Sequence, residues 1–381
     1  MPPTPISAAV VLPPREGFGP GRTGAIGLLA RRLVQTPGFQ TTVFGGKQDG
    51  PVFPGIDFRC VTPAIWRLGS SNIRYAAAVA RVLRKLNPAL IEVHNRPEIA
   101  LALAARLPEI PVTLILNNDP RDMRGAASPA ERGELLRRLA RVITSSEYLC
   151  QRVLEGVSAP ARDPIVLHNC LDLSELPPPR RREPLILFAG RVVADKAPDS
   201  FVSACALALP DLPGWSAQII GADRFSFDSP DTGFVRRVRA AAEAANVHML
   251  GYRDHPEVLI AMARAAIVMV PSRWPEPFGL VALEAMASGA ALICSPRGGL
   301  PEVAGDAAIY VNPDQPTEIA AAIRALVSDE GRRAGLAEAG RERARQFDVP
   351  AIAARLAGLR TAVIQDSFRS QSTVMPESIT I

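Results

Sequence analysis

The chain of 381 residues is poor in cysteine, histidine, lysine and aromatic residues, and it has no long apolar run. Its five cysteines (Cys60, Cys150, Cys170, Cys205 and Cys294) are odd in number, widely separated and form no Cys-x-x-Cys pair. That excludes a disulfide scaffold and a cysteine-rich zinc site, and it suits a reducing compartment. No window approaches the roughly 18 continuous apolar residues of a membrane-spanning helix, so membrane contact is expected to be peripheral. The first apolar stretch, Ile6 to Leu12, has no basic residues ahead of it and no small-residue cleavage site behind it, and it does not read as a signal peptide. The four histidines show no ligand spacing and no Asp-x-Asp closes a strand-like run, so the expected chemistry needs no metal.

Only Lys47, Lys85 and Lys196 stand beside forty arginines, and the formal charge is +5. Residues 1–176 carry 21 Lys+Arg against 15 Asp+Glu, whereas the remaining residues carry 22 against 23. A field this lopsided attracts an anionic partner: a phospholipid surface, a phosphorylated acceptor or nucleic acid. The basic helical faces are read at Arg74, Arg81, Arg84 and Lys85, and at Arg132, Arg137, Arg138 and Arg141.

Short apolar runs alternate with amphipathic stretches almost throughout. Ala8–Leu12, Thr41–Phe44, Leu90–Val93, Val112–Leu116, Val142–Thr144 and Ile165–Leu167 read as strands, separated by helical patterns such as Arg74–Leu86. Strands this apolar belong to a parallel sheet covered on both faces, which predicts a doubly wound α/β domain. The segment Glu175–Pro184, with four prolines and three consecutive arginines, can neither continue a helix nor join a central strand. The rhythm then restarts with strands at Leu185–Ala189, Ala217–Ile220, Val247–Leu250, Ala266–Val270, Ala290–Cys294 and Ala307–Val311. The expected organisation is a first domain over 1–176, a linker over 177–184, a second domain over 185–345, and a C-terminal helix with a polar, frayed tail over 346–381. Ligand is expected in a crevice at the carboxyl ends of the two sheets.

Four motifs follow strands. Pro271–Gly289 leaves the run Ala266–Val270, is stiffened by Pro275 and Pro277, turns at Gly279 and enters a helix whose first amides form an anion site. Glu276 in its loop and Glu284 inside its helix are acceptor-only groups suited to vicinal hydroxyls. Phe188–Pro198 turns at Gly190 and projects Arg191 and Lys196, two cations able to neutralise a diphosphate. The turn Arg15–Gly24, with Gly19, Gly21 and Arg22, offers free amides to a phosphate; it is equally compatible with NAD, although no acidic residue ends the next strand. His94 closes the run Leu90–Val93, where an imidazole can donate to a sugar hydroxyl or to developing charge.

The setting Glu-Pro-Phe-Gly-Leu-Val-x-Leu-Glu-Ala-Met-Ala, with its glutamates eight apart, resembles the nucleotide-sugar site of family 4 glycosyltransferases, which have the two-domain GT-B fold. The resemblance implies two doubly wound Rossmann-like domains facing a central cleft, with the C-terminal helix packing back on the first. It implies that Glu276 and Glu284, with Phe278, Gly279, Leu280 and Val281, hold the donor. Gly190, Arg191 and Lys196 match a Gly-Arg-x-x-x-x-Lys stretch whose cations hold the phosphates and stabilise the departing nucleoside diphosphate. His94 matches the second histidine of His-x-His, Glu92 standing in place of the first. Gly251 and Tyr252 fall where backbone groups read the base, and Gly19, Gly21 and Arg22 occupy the position of a loop near the reacting sugar. Val166–Asp172 resembles a Pro-Asn-Gly-x-Asp turn with His168 and Cys170 substituted, and Gly298–Glu302 matches a recurring loop. The catalytic candidates are therefore Arg191, Lys196, Glu276 and His94. The activity implied is retaining, metal-independent transfer of a hexose from a nucleoside-diphosphate sugar, UDP before GDP. The acceptor would be a glycan or lipid-linked molecule of cell-surface polysaccharide or lipopolysaccharide synthesis. No cofactor and no nucleic-acid partner is implied, and the place is the cytoplasm, on the inner face of an anionic membrane. A nucleotide-sugar epimerase of the same architecture and a noncatalytic nucleotide-sugar-binding protein remain alternatives.

Overall fold

The structure, a computed structural model, describes residues 4–63, 70–224, 226 and 228–373, with side chains up to residue 369. It divides into two units, Met1–Cys170 with Val349–Ile381, and Leu171–Asp348. In the first, seven strands run parallel: β1 (Ile6–Val11), β2 (Phe39–Gly45), β3 (Asp57–Cys60), β4 (Leu90–His94), β5 (Val112–Leu116), β6 (Arg141–Thr144) and β7 (Ile165–Val166), in the order β3-β2-β1-β4-β5-β6-β7. In the second, six parallel strands follow: β8 (Glu183–Ala189), β9 (Ser216–Ile220), β10 (Val247–Met249), β11 (Ala265–Val270), β12 (Ala291–Cys294) and β13 (Ala308–Tyr310), ordered β10-β9-β8-β11-β12-β13. Each sheet grows to one side of its first strand and then resumes on the other. This is the Rossmann-like order, and its switch points lie between β1 and β4 and between β8 and β11.

The sequence dictates this layering because the central strands have no polar face. All five residues of β4 and all six of β11 are buried, which is possible only with helices on both sides. In the first unit Tyr75, Val79 and Leu83 of helix Ser71–Leu86 pack on Ile91, Val93 and Leu114. In the second, Leu283 and Met286 cover one face of the sheet, and Phe201 and Ile323 cover the other.

Helix Val349–Thr373 belongs to the first unit. Its Ile352 and Leu356 pack with Leu29, Ile115 and Ile143, and its Val363 and Ile364 with Leu90. Arg360, buried on the same helix, donates through Nε and Nη2 to the two oxygens of the equally buried Glu92, at 3.1 and 2.5 Å, and through Nη1 to Thr41 Oγ1 at 3.3 Å.

Several boundaries differ from expectation. The first crossing falls at Cys170/Leu171 rather than after residue 176, because Leu171 bridges Asp348 and joins the second core. Glu183 and Pro184, expected in the linker, open β8. Arg182 next to them is bound: its Nη1 donates to the carbonyls of Met262, Ala263 and Ala265. The C-terminal helix starts at Val349 and its backbone runs to Thr373; the tail from residue 374, expected to be frayed, lies outside the described residues. Arg132, read as part of a basic face, is buried and spends its guanidinium on the carbonyls of Ala126, Ala127, Val153 and Glu155.

Candidate functional site

The two strongest motifs leave the strands that flank the second switch point. After β8 the Gly190 amide donates to Ile220 O at 3.0 Å, and the chain makes a short turn, Ala194–Lys196, before helix Pro198–Ala208. The carbonyl of Asp195 accepts from the amides of Arg273 and Trp274, at 2.8 and 3.1 Å, which ties this loop to the one after β11. Arg273 strengthens the tie. Both arms of its guanidinium donate to Asp199 at 2.8 Å, its Nε to Asp314 at 2.8 Å, and its Nη1 to Ala194 O at 3.0 Å. Planar bidentate geometry of this kind is specific to arginine.

So held, Lys196 Nζ lies 2.5 Å from Glu276 Oε1 and 5.5 Å from the centre of the Trp274 ring. The Ser272 hydroxyl donates to the same carboxylate oxygen, and Ser272 is itself fixed by Ser295 Oγ, which donates to its carbonyl at 2.7 Å. Glu276 is 9% exposed, and its backbone bridges Gly298. Gly298 has φ 67°, and a Cβ there would lie 2.3 Å from Glu276 O, so only glycine lets the two loops meet. The sequence reading gave Lys196 to a phosphate and Glu276 to a sugar; in the structure each holds the other. Arg191 is half-buried in the same loop as Lys196.

Helix Leu280–Ala287 begins at Gly279, whose φ of 111° suits glycine, and no side chain caps its amino end. Glu284 is buried on this helix and accepts from His255 Nε2 at 2.7 Å. The two glutamates were expected to face one ligand together; each has its own cationic or imidazole partner. Phe278, expected to line the donor, sits in the core against Phe347, with ring centres 5.7 Å apart. Leu280 and Val281 are half-buried against that core. Gly251 accepts from the Gly221 amide at 2.9 Å, and Tyr252 beside it is half-buried, its phenol pushed up by burial and by the charge of Asp254.

The remaining candidates belong to the first unit. His94 ends β4 with 4% exposure. Burial pushes its imidazole down to about 4, Glu92 opposing and Arg360 adding to the shift, so the ring is neutral at neutral pH. Beyond it lies a row that the motifs did not reveal. Asn95, Asn117 and Ser145 are the first residues past β4, β5 and β6. Among the described residues, His94 Nδ1, Asn95 Nδ2, Asn117 Nδ2 and Oδ1, and Ser145 Oγ are buried with no hydrogen-bond partner. Buried polar atoms are nearly always satisfied, so such a concentration at one sheet end asks for a function. The signal was a polar residue directly after each apolar run.

The glycine-rich turn is closed by its own side chains. Arg22 Nη1 donates to Asp49 O at 2.5 Å, and Gly19 lies so near Pro51 that a Cβ would come within 2.1 Å of its carbonyl oxygen. At the start of helix Ala25–Leu33 the Gly27 amide is taken by Glu16 Oε1 at 3.0 Å. The amino end of the helix that follows this turn is thus partly filled by the chain's own acid. Among the described residues no group of three or more His, Cys, Asp and Glu side chains is gathered as metal ligands would be.

Two family descriptions match the chain: "Glycosyltransferase Family 4" over residues 26–175 and "Glycosyl transferases group 1" over residues 175–343. A D-inositol 3-phosphate glycosyltransferase of Corynebacterium aurimucosum is 34% identical over 177 residues, which take in 45% of this chain and 41% of that protein. The chain thus spans about two fifths of that relative's length. Among solved structures, sucrose-phosphate synthase from Thermosynechococcus elongatus superposes with a TM-score of 0.76 at 19% identity, over 94% of this chain and 100% of that one. HepE from Anabaena, solved in complex with UDP, superposes with a TM-score of 0.75 at 18% identity, over 94% and 100% of the respective chains.

Proposed function

The chain belongs to glycosyltransferase family 4 and has the GT-B fold of two Rossmann-like units, and from that premise we propose that it transfers a hexose, with retention and without a metal, from a nucleoside-diphosphate sugar. UDP-sugars are the first choice of donor, and the acceptor is a glycan or lipid-linked molecule of cell-surface polysaccharide or lipopolysaccharide synthesis. The observation that carries the proposal is the Lys196–Glu276 pair of 2.5 Å at the second switch point, with Arg191 in the same loop. Ligands of open parallel sheets bind outside the carboxyl ends of the strands at such a point. On donor binding Lys196 exchanges Glu276 for the diphosphate, and the released carboxylate accepts from the sugar hydroxyls. The bond between the anomeric carbon and the phosphate oxygen breaks, with charge building on the leaving group where Arg191 and Lys196 stand. The acceptor oxygen bonds to the same face of the carbon, and its proton passes to the departing phosphate oxygen, which has taken the electron pair of the broken bond. Catalysis lies in meeting that charge more strongly in the transition state than in the ground state. HepE, which shares the fold, has been solved with UDP and with UDP-glucose, and this supports the choice of donor.

The first unit takes the acceptor. Its strand ends offer neutral donors and acceptors at His94, Asn95, Asn117 and Ser145, suited to hydroxyls. Its exposed Arg81, Arg84 and Lys85 on helix Ser71–Leu86 dock on the anionic inner face of the membrane, where a lipid-linked acceptor resides. A panel of UDP-, GDP- and ADP-sugars, scored by release of nucleoside diphosphate with and without glycan acceptors, tests the reading. Turnover that needs acceptor supports transfer. An isomerised sugar formed from donor alone would make the protein an epimerase, and binding without turnover a sensor.

A further inference from the structure

We infer that His255 is a positioning residue that sets Glu284 toward the ribose hydroxyls of the nucleotide. This rests on the proposed function: with Glu276 given to the sugar hydroxyls, Glu284 is the acid left for the vicinal hydroxyls of the nucleotide's ribose. His255 opens helix His255–Arg264, immediately after Asp254, whose amide donates to Glu257 Oε2 at 3.2 Å and so ties the helix start together. The ring is therefore presented from a fixed point, three residues past Tyr252, and its Nε2–H reaches Glu284 Oε1 at 2.7 Å. The two residues come from helices on either side of β11 in the chain, so the contact joins two of the stretches assigned to the donor.

The burial of the pair is unequal. The His255 side chain is 38% exposed and that of Glu284 is 9% exposed. An imidazole this exposed adds little to the core, so stability alone gives weak reason for it. Its effect falls on the carboxylate. A glutamate has two oxygens and about four lone-pair sites; with Oε1 held by the ring, the carboxylate plane is fixed and the remaining sites are directed before ligand arrives. Ordering a long acidic side chain in advance removes an entropic cost that binding would otherwise meet. Vicinal hydroxyls are the group that benefits, since they need two acceptor directions at once.

The test compares wild type, His255→Ala and His255→Gln by calorimetric titration. The ligand is whichever of UDP, GDP and ADP the wild type binds tightest, together with the 2′,3′-dideoxy form of the same nucleotide. His255→Ala is expected to weaken the ribose form about tenfold, the loss of one hydrogen bond to a charged group. The dideoxy form should stay within about twofold, and His255→Gln, which keeps an N–H donor, should recover part of the difference. The ratio of the two affinities is read within one folded preparation, so general destabilisation cannot imitate it. Equal losses on both ligands, or none on either, would overturn the role of His255 while leaving the nucleotide site intact. A wild type that binds none of the three would overturn the proposed function itself, and one that binds but does not distinguish ribose from dideoxyribose would overturn the assignment of Glu284 to the ribose and this inference with it.

Discussion

In the first unit the three strands β4, β5 and β6 lead into His94, Asn95, Asn117 and Ser145, neutral groups with hydrogen-bonding atoms left over. In the second they lead into Arg191, Lys196 and Glu276, charged groups of which Lys196 and Glu276 hold each other. The first six strands of the first unit follow the same order as the six of the second. Scaffolds of one order thus present opposite chemistry, because the scaffold decides only where a loop leaves the sheet, and the loop decides what stands there. Net charge runs the other way. The first unit holds 24 Lys+Arg against 15 Asp+Glu and the second 19 against 23. The basic surplus of the first unit includes the exposed face of helix Ser71–Leu86 and buried arginines such as Arg132 that serve backbone carbonyls.

Removing Arg360 should hit the first unit hardest. Arg360→Ala leaves Glu92 charged and buried alone, at a cost of about 3–5 kcal/mol in denaturant unfolding. The double change Glu92→Leu with Arg360→Met should recover most of it. A single variant within 1 kcal/mol of wild type would show that the pair is not what anchors the helix.

The second unit should respond in rate rather than in stability. Lys196→Ala is expected to lower kcat about a hundred- to a thousandfold while the donor Kd moves far less, measured by nucleoside diphosphate release and titration. Arg191→Ala should behave alike. Unchanged kcat would remove these cations from the leaving-group role.

Acid should separate the units. The His94 imidazole is held near 4 in the folded chain against 6.5 when unfolded. Between those values the unfolded state binds the extra proton, so stability falls as pH drops from 6.5 toward 4, by about 3 kcal/mol in all. Urea midpoints followed across that window should slope in wild type and flatten in His94→Leu. A slope that survives the substitution would assign the titration elsewhere.

The smallest effect is expected at the exposed basic face. Neutralising Arg81, Arg84 and Lys85 should weaken binding to anionic liposomes by about 1 kcal/mol per residue, and salt should do the same. Binding indifferent to both would leave the charge surplus without a membrane role.

The sheets were legible because parallel strands buried on both faces are simply apolar. The half-exposed edge strand β3 and the helices at Pro97–Arg106 and His255–Arg264 were not, since the first lacks a buried face and the others are almost evenly apolar or begin at a proline. At the candidate site, motif order singles out Arg191, Lys196, Glu276 and Glu284. Their partners were hidden, because Lys196 meets Glu276 across 80 positions and His255 meets Glu284 across 29, distances that only the folded loops close. Phe278 shows the opposite case: an aromatic inside the motif places its side chain in the core. Arg132 and Arg360 were unreadable in principle, because burial of an arginine depends on carbonyls or an acid brought from elsewhere.

Helix Val349–Thr373 completes a sheet begun more than three hundred residues earlier, and the whole second unit lies between. Synthesis from the amino terminus therefore finishes the later unit before the earlier one. Until the final helix leaves the ribosome, the flank formed by Leu90, Ile115 and Ile143 stays bare and Glu92 waits without its cation. The nascent chain thus passes through an interval in which its apparently younger half is mature and its older half still open to chaperones.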